Sequence, residues 1–241
     1  MPTLRPPSIH YPKPNQVGGT LIREVIAHLK RYGVSLPLSS HILIATSGGS
    51  DSIALAHLLI HYGRRVAPKA AIRLLHVNHG WRGAESDADA RFVAECGQRW
   101  GVPSTIVELK TEHSSREGQS WEERARIQRK DVFSSEAAKH GALVLTAHQA
   151  DDLAETLLWR LFTGASQTHG AGIAVRHGME LRPLLGVRKQ ELENYLREES
   201  QSWREDATNK EGRFLRSRMR LDLLPVIERL FPRAVEHLAK Q

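Results

Sequence analysis

Cysteine is nearly absent from this chain: Cys96 is the only one in 241 residues. A single thiol builds no internal disulfide, no cysteine-rich zinc site and no iron–sulfur cluster. Its apolar neighbours mark it as a core residue. Long apolar runs are missing too, and none approaches the ~20 residues a membrane helix needs. Arg5 is followed by no apolar stretch, so no secretory signal is expected. The 13 histidines include no HExxH pair, and the GxxxxGKS/T phosphate loop does not occur. These absences describe a cytoplasmic protein with no membrane attachment and no disulfide framework.

What is present suits a globular domain. Hydrophobic residues make up 40% and charged residues 25%, the balance of a chain that buries a core. Net charge is +7 with a pI near 9.8, which favours a polyanionic partner. The charge is unevenly placed. Arg213, Arg216, Arg218 and Arg220 crowd together, with no acid between Gly212 and Arg220. At the other end, residues 1–19 carry Pro2, Pro6, Pro7, Pro12 and Pro14 and read as a disordered tail.

Between these ends, short apolar runs alternate with longer helical patterns. Strands are expected at 41–46, 71–77, 104–109 and 142–146, and a short one at 180–182. Helices are expected at 20–32, 51–62, 86–100, 120–140, 151–162, 187–199 and 218–230. Ser86 with Asp89 and Ser120 with Glu123 read as helix-opening caps, and Gly33, Gly101 and Gly141 as stops. The segment 165–179 shows no clear period and reads as a loop. The pattern predicts an α/β fold: a parallel sheet with helices on both faces. Residues 20–186 form this domain, and 187–241 form a helical extension. Ligands bind such sheets at the carboxyl ends of the strands. That rule gathers 46–52, 77–82 and 147–152 on one rim.

The first of those segments is Ser47-Gly48-Gly49-Ser50-Asp51-Ser52. A strand, a glycine turn and a helix start make an anion site, because the turn bends close to the ligand and the helix aims free N–H groups at it. Ser-Gly-Gly-Ser also occurs in linkers, but linkers rarely join a buried strand to a helix. Further motifs follow in order: His76-Val77-Asn78-His79-Gly80-Trp81-Arg82-Gly83; Ala125, Arg126 and Arg129 on one helix; Thr146-Ala147-His148-Gln149-Ala150-Asp151-Asp152 running on to Glu155-Thr156; and Arg182-Pro183-Leu184-Leu185. The last runs from Trp203, Asp206, Thr208 and Asn209 through Phe214 to Arg220.

The SGGxDS loop resembles the pyrophosphate loop of the N-type ATP pyrophosphatases, which cut ATP between the α and β phosphates. The six motifs, in this order from about Leu43 to Pro225, resemble those of bacterial tRNA(Ile)-lysidine synthetases. Three features depart from that family's pattern. Gln149 and Leu153 stand where a His and usually a Gln or Asn are familiar, Ser217 stands where an Asn is usual, and the loop after Gly164 lacks GLxGM. The chain ends at Gln241, so the likeness is to a short form without the extra C-terminal domains that many members carry.

The resemblance implies an adenine nucleotide α-hydrolase-like, Rossmann-like fold. It implies a ligase that uses ATP and magnesium to join L-lysine to C2 of the wobble cytidine in tRNA(Ile) with a CAU anticodon, through an adenylated cytidine, releasing AMP and diphosphate. Ser47 to Ser52 would bind ATP, and Asp51 would hold the metal, its other reading being an acid that complements the helix dipole. His79 and Arg82 would meet adenosine or substrate. Arg126 and Arg129 would meet phosphate, the lysine carboxylate or tRNA, or else form a solvated helix face. Asp151 and Asp152 would receive the lysine ammonium, although one of them could be a helix cap. His148 would assist deprotonation or orient Asp152. Arg213, Arg216, Arg218 and Arg220 would reach the tRNA backbone. Trp203 and Phe214 are core residues or stacking platforms for cytidine. Both a monomer and a homodimer are compatible with the sequence. The alternatives are another tRNA-modifying ligase with the same loop, or a tRNA-binding relative without catalysis.

Overall fold

The computed structural model describes residues 16–34, 41–63, 70–109, 121–165, 172–205 and 218–240. Helix α1 (Gln16–Arg31) precedes β1 (His41–Ala45), α2 (Ser50–Tyr62), β2 (Ala71–Asn78), α3 (Ala84–Trp100) and β3 (Ser104–Glu108). Then come α4 (Trp121–His140), β4 (Ala142–Leu145) and α5 (Ala150–Thr163). The strands β5 (Arg176–His177) and β6 (Glu180–Leu181) form a short hairpin, followed by α6 (Lys189–Glu198). A π-helical turn (Met219–Leu223) leads into α7 (Leu224–Leu230), and α8 (Ala234–Leu238) follows.

The sheet has six strands in the order β3-β2-β1-β4-β6-β5. All neighbours are parallel except β5 and β6, which are antiparallel. Side chains of successive strand residues point to opposite faces, and the burial follows. Ile42, Ile44, Leu74, Leu143 and Leu145 enter the larger core with α1, α2, α3, α5 and α6. Leu43, Leu75, Ala142 and Val144 face the other way and pack with Ala137 and Phe133 of α4. Helices therefore cover both faces, as the alternating pattern predicts.

Strand order fixes where a ligand can sit. From β1 the chain moves to β2 and β3 on one side, then crosses to β4 on the other. The loops leaving β1 and β4 diverge, which opens a crevice at the carboxyl ends of these two strands.

The helices after residue 187 share the main core: Leu192, Tyr195, Leu196 and Val235 are all buried in it. Tyr195 Oη pairs with His57 Nδ1 of α2 at 2.7 Å, and Tyr62 Oη donates to Glu199 at 2.8 Å. Burial pushes His57 down to about 3, so this interior pair is uncharged. Cys96 is buried, as expected.

Some boundaries differ from those expected. Helix α1 starts at Gln16, inside the stretch read as a tail, and buries Gly18 and Gly19; residues 1–15 lie outside the described residues. The helix expected at 218–230 is present without a break, but it opens with a π-helical turn. Pro225, near the start of α7, has no N–H to continue the ladder, and the Leu224 N–H reaches back to Met219 O. Strand β5 lies in the segment read as a loop. Helix α8 was not expected.

Candidate active site

The chain leaves β1 at Thr46, whose N–H still bonds Leu75 O at 2.8 Å. It then turns at Gly48, where φ is +100°, a conformation that side chains other than glycine rarely adopt. The turn closes on Ser52. Its Oγ accepts the N–H groups of Ser47 at 3.1 Å and Gly48 at 3.2 Å, and donates to Gly49 O at 3.0 Å. Helix α2 begins with no side-chain cap, so its first N–H groups point into the crevice mouth as an anion site.

The β2 loop is tied to this turn through Asp89 of α3. Arg82 Nη2 donates to Asp89 at 2.7 Å, and Arg204 forms an ion pair with the other carboxylate oxygen. The Arg204 N–H in turn donates to Gly48 O at 2.9 Å. One buried carboxylate thus joins both lips. Beside it, the His79 and Trp81 rings lie with centroids 5.0 Å apart, tilted by 35°. Burial, aided by Arg129 and His76, pushes His79 down to about 4. A neutral imidazole next to an indole presents flat aromatic surface suited to a heterocyclic base.

Helix α5 separates the two adjacent carboxylates that the sequence treats alike. Gln149 caps the helix: its side-chain oxygen accepts the Asp151 N–H at 2.5 Å, and its own N–H donates to Asp152 Oδ2 at 3.1 Å. Asp151 points away from the cavity. It accepts from Arg188 at 3.0 Å and from the Lys189 N–H at 2.9 Å, while Arg188 also pairs with Glu228 at 2.7 Å. Asp151 thus ties α6 and α7 to α5 and is not among the residues that line the cavity. Asp152 lines the cavity.

One turn on, Glu155 shares the Asp152 face. Arg220, from the π-helical turn, donates to Asp152 Oδ1 at 3.1 Å and to Glu155 at 2.5 and 3.1 Å. Its guanidinium lies in the cavity wall. Across from this group, burial first and Asp152 second push Asp51 up to about 6; Lys189, Ser50 and Arg220 oppose the rise. A half-buried carboxylate within electrostatic reach of a second one favours a cation near both.

The far wall comes from β6 and α4. Thr146 Oγ1 donates to Glu180 at 3.1 Å and lies 3.1 Å from His148 Nδ1. Glu180 pairs with Arg182 at 2.8 Å. Burial pushes His148 down, with Arg182 and Arg129 helping and Asp152 and Glu180 opposing. Arg126 and Arg129 project from α4. Enclosure by the walls and the neighbouring Arg126 work against the Arg129 charge, while Glu180 favours it. Two clustered guanidiniums invite an anion.

Together these groups enclose a cavity of about 1060 Å³, at the upper end of the range for small-molecule sites. Ser47, Asp51, Ser52, His79, Arg82, Arg126, Arg129, His148, Asp152 and Arg220 all line it. Gly48, Gly49 and Ser50 shape the turn behind. Arg218 pairs with Asp222 on the surface at 3.4 Å. Arg213 and Arg216 lie outside the described residues, as do Asp206, Thr208, Asn209, Phe214 and Ser217. Trp203 packs against the main core. Thr146 and Glu155 stand in a motif read from the sequence but received no role there, and Glu180 and Asp89 were not read as site residues. Glu155 was legible as the i+3 partner of Asp152; Glu180 had no local signal, because strand pairing delivers it. Among the described residues no three His, Cys, Asp or Glu side chains gather as a metal-ligand set. No described helix is long and apolar enough to cross a membrane.

Comparison with known proteins agrees with this geometry. The chain is 39% identical to the tRNA(Ile)-lysidine synthase of Symbiobacterium thermophilum over 228 residues, covering 91% of this chain and 46% of that protein. The enzyme of the same name from Geobacter sulfurreducens is 37% identical over 91% of this chain and 47% of its own length. That from Rhodopirellula baltica is 37% identical over 86% and 56%. The chain thus spans about half the length of these curated relatives. Among solved structures, the U34-tRNA thiolase NcsA from Methanococcus maripaludis, with its 4Fe–4S cluster, shares the fold at a TM-score of 0.71 and 17% identity, covering 92% of this chain and 78% of that one. The family model for the PP-loop domain matches residues 22–227, and with its glycine turn at the crevice between β1 and β4 this chain belongs to the PP-loop family.

Proposed function

We propose that this chain carries an ATP-dependent ligase activity that joins lysine to C2 of the wobble cytidine of the CAU-anticodon tRNA(Ile), forming lysidine. One observation carries the reading: a single cavity holds an anion-binding turn on one side and the Asp152–Glu155 carboxylates on the other. ATP fits the first. An amine substrate fits the second. The relatives named above as tRNA(Ile)-lysidine synthases support the same assignment.

The chemistry explains why both are needed. Oxygen O2 of cytosine is a poor leaving group. Transfer of AMP to it, with loss of diphosphate, makes C2 electrophilic and the oxygen a good leaving group. The lysine ε-amine then attacks C2 and AMP departs. Such catalysis rests on positioning and on charge stabilisation. The N–H groups at the start of α2, which no side chain caps, would hold the departing diphosphate. Arg126 and Arg129 would neutralise charge on phosphate or on the lysine carboxylate. Asp152 and Glu155 would bind the ε-ammonium, which requires Arg220 to yield part of its pairing with them. His79 and Trp81 offer a face for adenine or cytosine.

Magnesium fits the donor set. It binds through one or two carboxylates together with phosphate oxygens rather than through a closed protein cage, and Asp51, half-buried in the same cavity as Asp152, is such a carboxylate. When bound it would neutralise the triphosphate. Arg218, together with Arg213 and Arg216, would contact the tRNA backbone, whereas Arg220 is turned inward to Asp152 and Glu155.

A thiolase reading is disfavoured, because the one cysteine of this chain is buried in the core and far from supplying a cluster. The test is incubation with ATP, magnesium, lysine and the CAU-anticodon tRNA, followed by nucleoside mass spectrometry. Lysidine is the expected product. Lysine-independent tRNA binding alone would favour a non-catalytic relative.

A further inference from the structure

The ε-ammonium of lysine has no lone pair to give until it loses a proton, so the ligation needs a base close to the amine. Three residues on the far wall of the cavity bear on which group that is. Thr146 has one hydroxyl proton. It is donated to Glu180 Oε1 at 3.1 Å, and that carboxylate is also held by Arg182 at 2.8 Å. The Thr146 oxygen, having given its only proton away, must act as acceptor toward His148 Nδ1, 3.1 Å distant. The proton on the imidazole therefore sits on Nδ1. Nε2 is left with a lone pair. His148 lines the same cavity as Asp152 and Glu155.

We infer that Glu180 and Thr146 form a relay that fixes His148 in its Nδ1–H tautomer and presents Nε2 as the base for the incoming amine. This rests on the ligase reading given above. Glu180 and Thr146 are positioning residues; His148 is the group that meets the substrate. In the step, Nε2 takes one proton from the ε-ammonium. The freed pair forms the C2–N bond, the C2–O2 bond breaks, and AMP leaves with that pair. The second proton on nitrogen passes to the phosphate oxygen that gains the charge. The groups around His148 keep it available as a base. Burial holds it neutral, Asp152 from α5 and Glu180 from β6 temper that effect, and Arg182 and Arg129 reinforce it.

Two readouts test the relay on the full chain. The first is the tautomer, read by nitrogen NMR of histidine-labelled protein, with His148→Gln identifying the signal. At pH 7 the wild type should show a pyrrole-type Nδ1 and a pyridine-type Nε2, and Thr146→Val should mix the tautomers. The second separates the half-reactions. Diphosphate release with tRNA and ATP reports the first, and lysine-dependent AMP release reports the second. His148→Gln should slow the lysine step by about 100-fold, the usual scale for a lost base. Thr146→Val should slow it by about tenfold more than it slows diphosphate release, and its deficit should shrink as pH rises. Thr146→Ser, which keeps the hydroxyl, should restore the rate. An Nε2–H tautomer in the wild type, equal slowing of both steps, or no rescue by Thr146→Ser would overturn the relay alone. Failure of the wild type to release diphosphate with tRNA would overturn the ligase reading, and the relay with it.

Discussion

Arg220 Nη2 donates to Asp152 Oδ1 at 3.1 Å, and the same guanidinium binds Glu155. A residue of the C-terminal helices thereby occupies the carboxylate pair that faces the cavity. The Glu155 side chain is only 4% exposed, so removing its partner leaves a buried charge uncompensated. Arg220→Ala is expected to destabilise the fold by about 3 kcal/mol, measured by urea unfolding. Arg218→Ala, whose partner Asp222 is on the surface, is expected to cost under about 0.5 kcal/mol. It should instead weaken tRNA binding and flatten its salt dependence.

Adjacent Asp151 and Asp152 should fail in different ways. Asp151→Asn loses part of the Arg188 and Lys189 anchor and is expected to cost about 1–3 kcal/mol of stability, with the lysine dependence of turnover retained. Asp152→Asn keeps an acceptor for the Gln149 N–H and so should fold nearly as well, but lysine-dependent AMP release should fall by about 100-fold. Melting curves and steady-state kinetics on the same two proteins make the comparison.

Asp51 predicts an inverse relation between stability and activity. Its folded-state pKa, about 6, lies above its ordinary value of 3.8. Between those values the folded protein binds more protons than the unfolded chain, so this group's contribution to stability falls as pH rises through that window. Asp51→Asn removes the effect. Without ATP and metal it should be more stable than the wild type at pH 7 by up to about 3 kcal/mol, and the difference should vanish below about pH 4. Its turnover should be abolished. Urea unfolding at the two pH values, alongside AMP release, checks both halves.

Ser52 and Gly48 shape the anion turn by different means. Ser52→Ala removes the hydroxyl that two loop N–H groups donate to, and should raise the Kd for ATP by about tenfold, the scale of one lost hydrogen bond of about 1.4 kcal/mol. A Cβ at Gly48 would meet Phe92 and Arg204 at ordinary contact distances, so Gly48→Ala suffers from its positive φ rather than from crowding. It should cost about 1–2 kcal/mol of stability and weaken ATP binding further. Calorimetric titration with a non-hydrolysable ATP analogue measures each.

Much of this was legible in the sequence because the signals were local. The apolar run 41–46 and the glycine turn after it mark β1, the loop and α2 without tertiary information. The same holds for β4 and the start of α5. What escaped depends on contacts between distant segments. Nothing local distinguishes Asp151 from Asp152; Arg188, which is 37 residues away, makes the difference. Glu180 reaches the site because β6 pairs with β4. Gln149 looks like a departure from a familiar motif, yet its side chain caps α5. Strand β5 spans two exposed residues, too few to show a period. At 218–230 the apolar spacing gives the helix, and only its π-type first turn, closed by the Leu224 N–H on Met219 O beside Pro225, goes beyond that spacing.

The central claim is that one cavity first uses ATP on a tRNA cytidine and then accepts lysine. Its most direct measurement is lysidine in the CAU-anticodon tRNA(Ile) after incubation with ATP, magnesium and lysine, compared with the methionine tRNA of the same anticodon. The account predicts lysidine in the isoleucine tRNA, formed in step with AMP and abolished by Asp51→Asn. Tight ATP and tRNA binding by the wild type, with no lysidine and no lysine-dependent AMP, would contradict it.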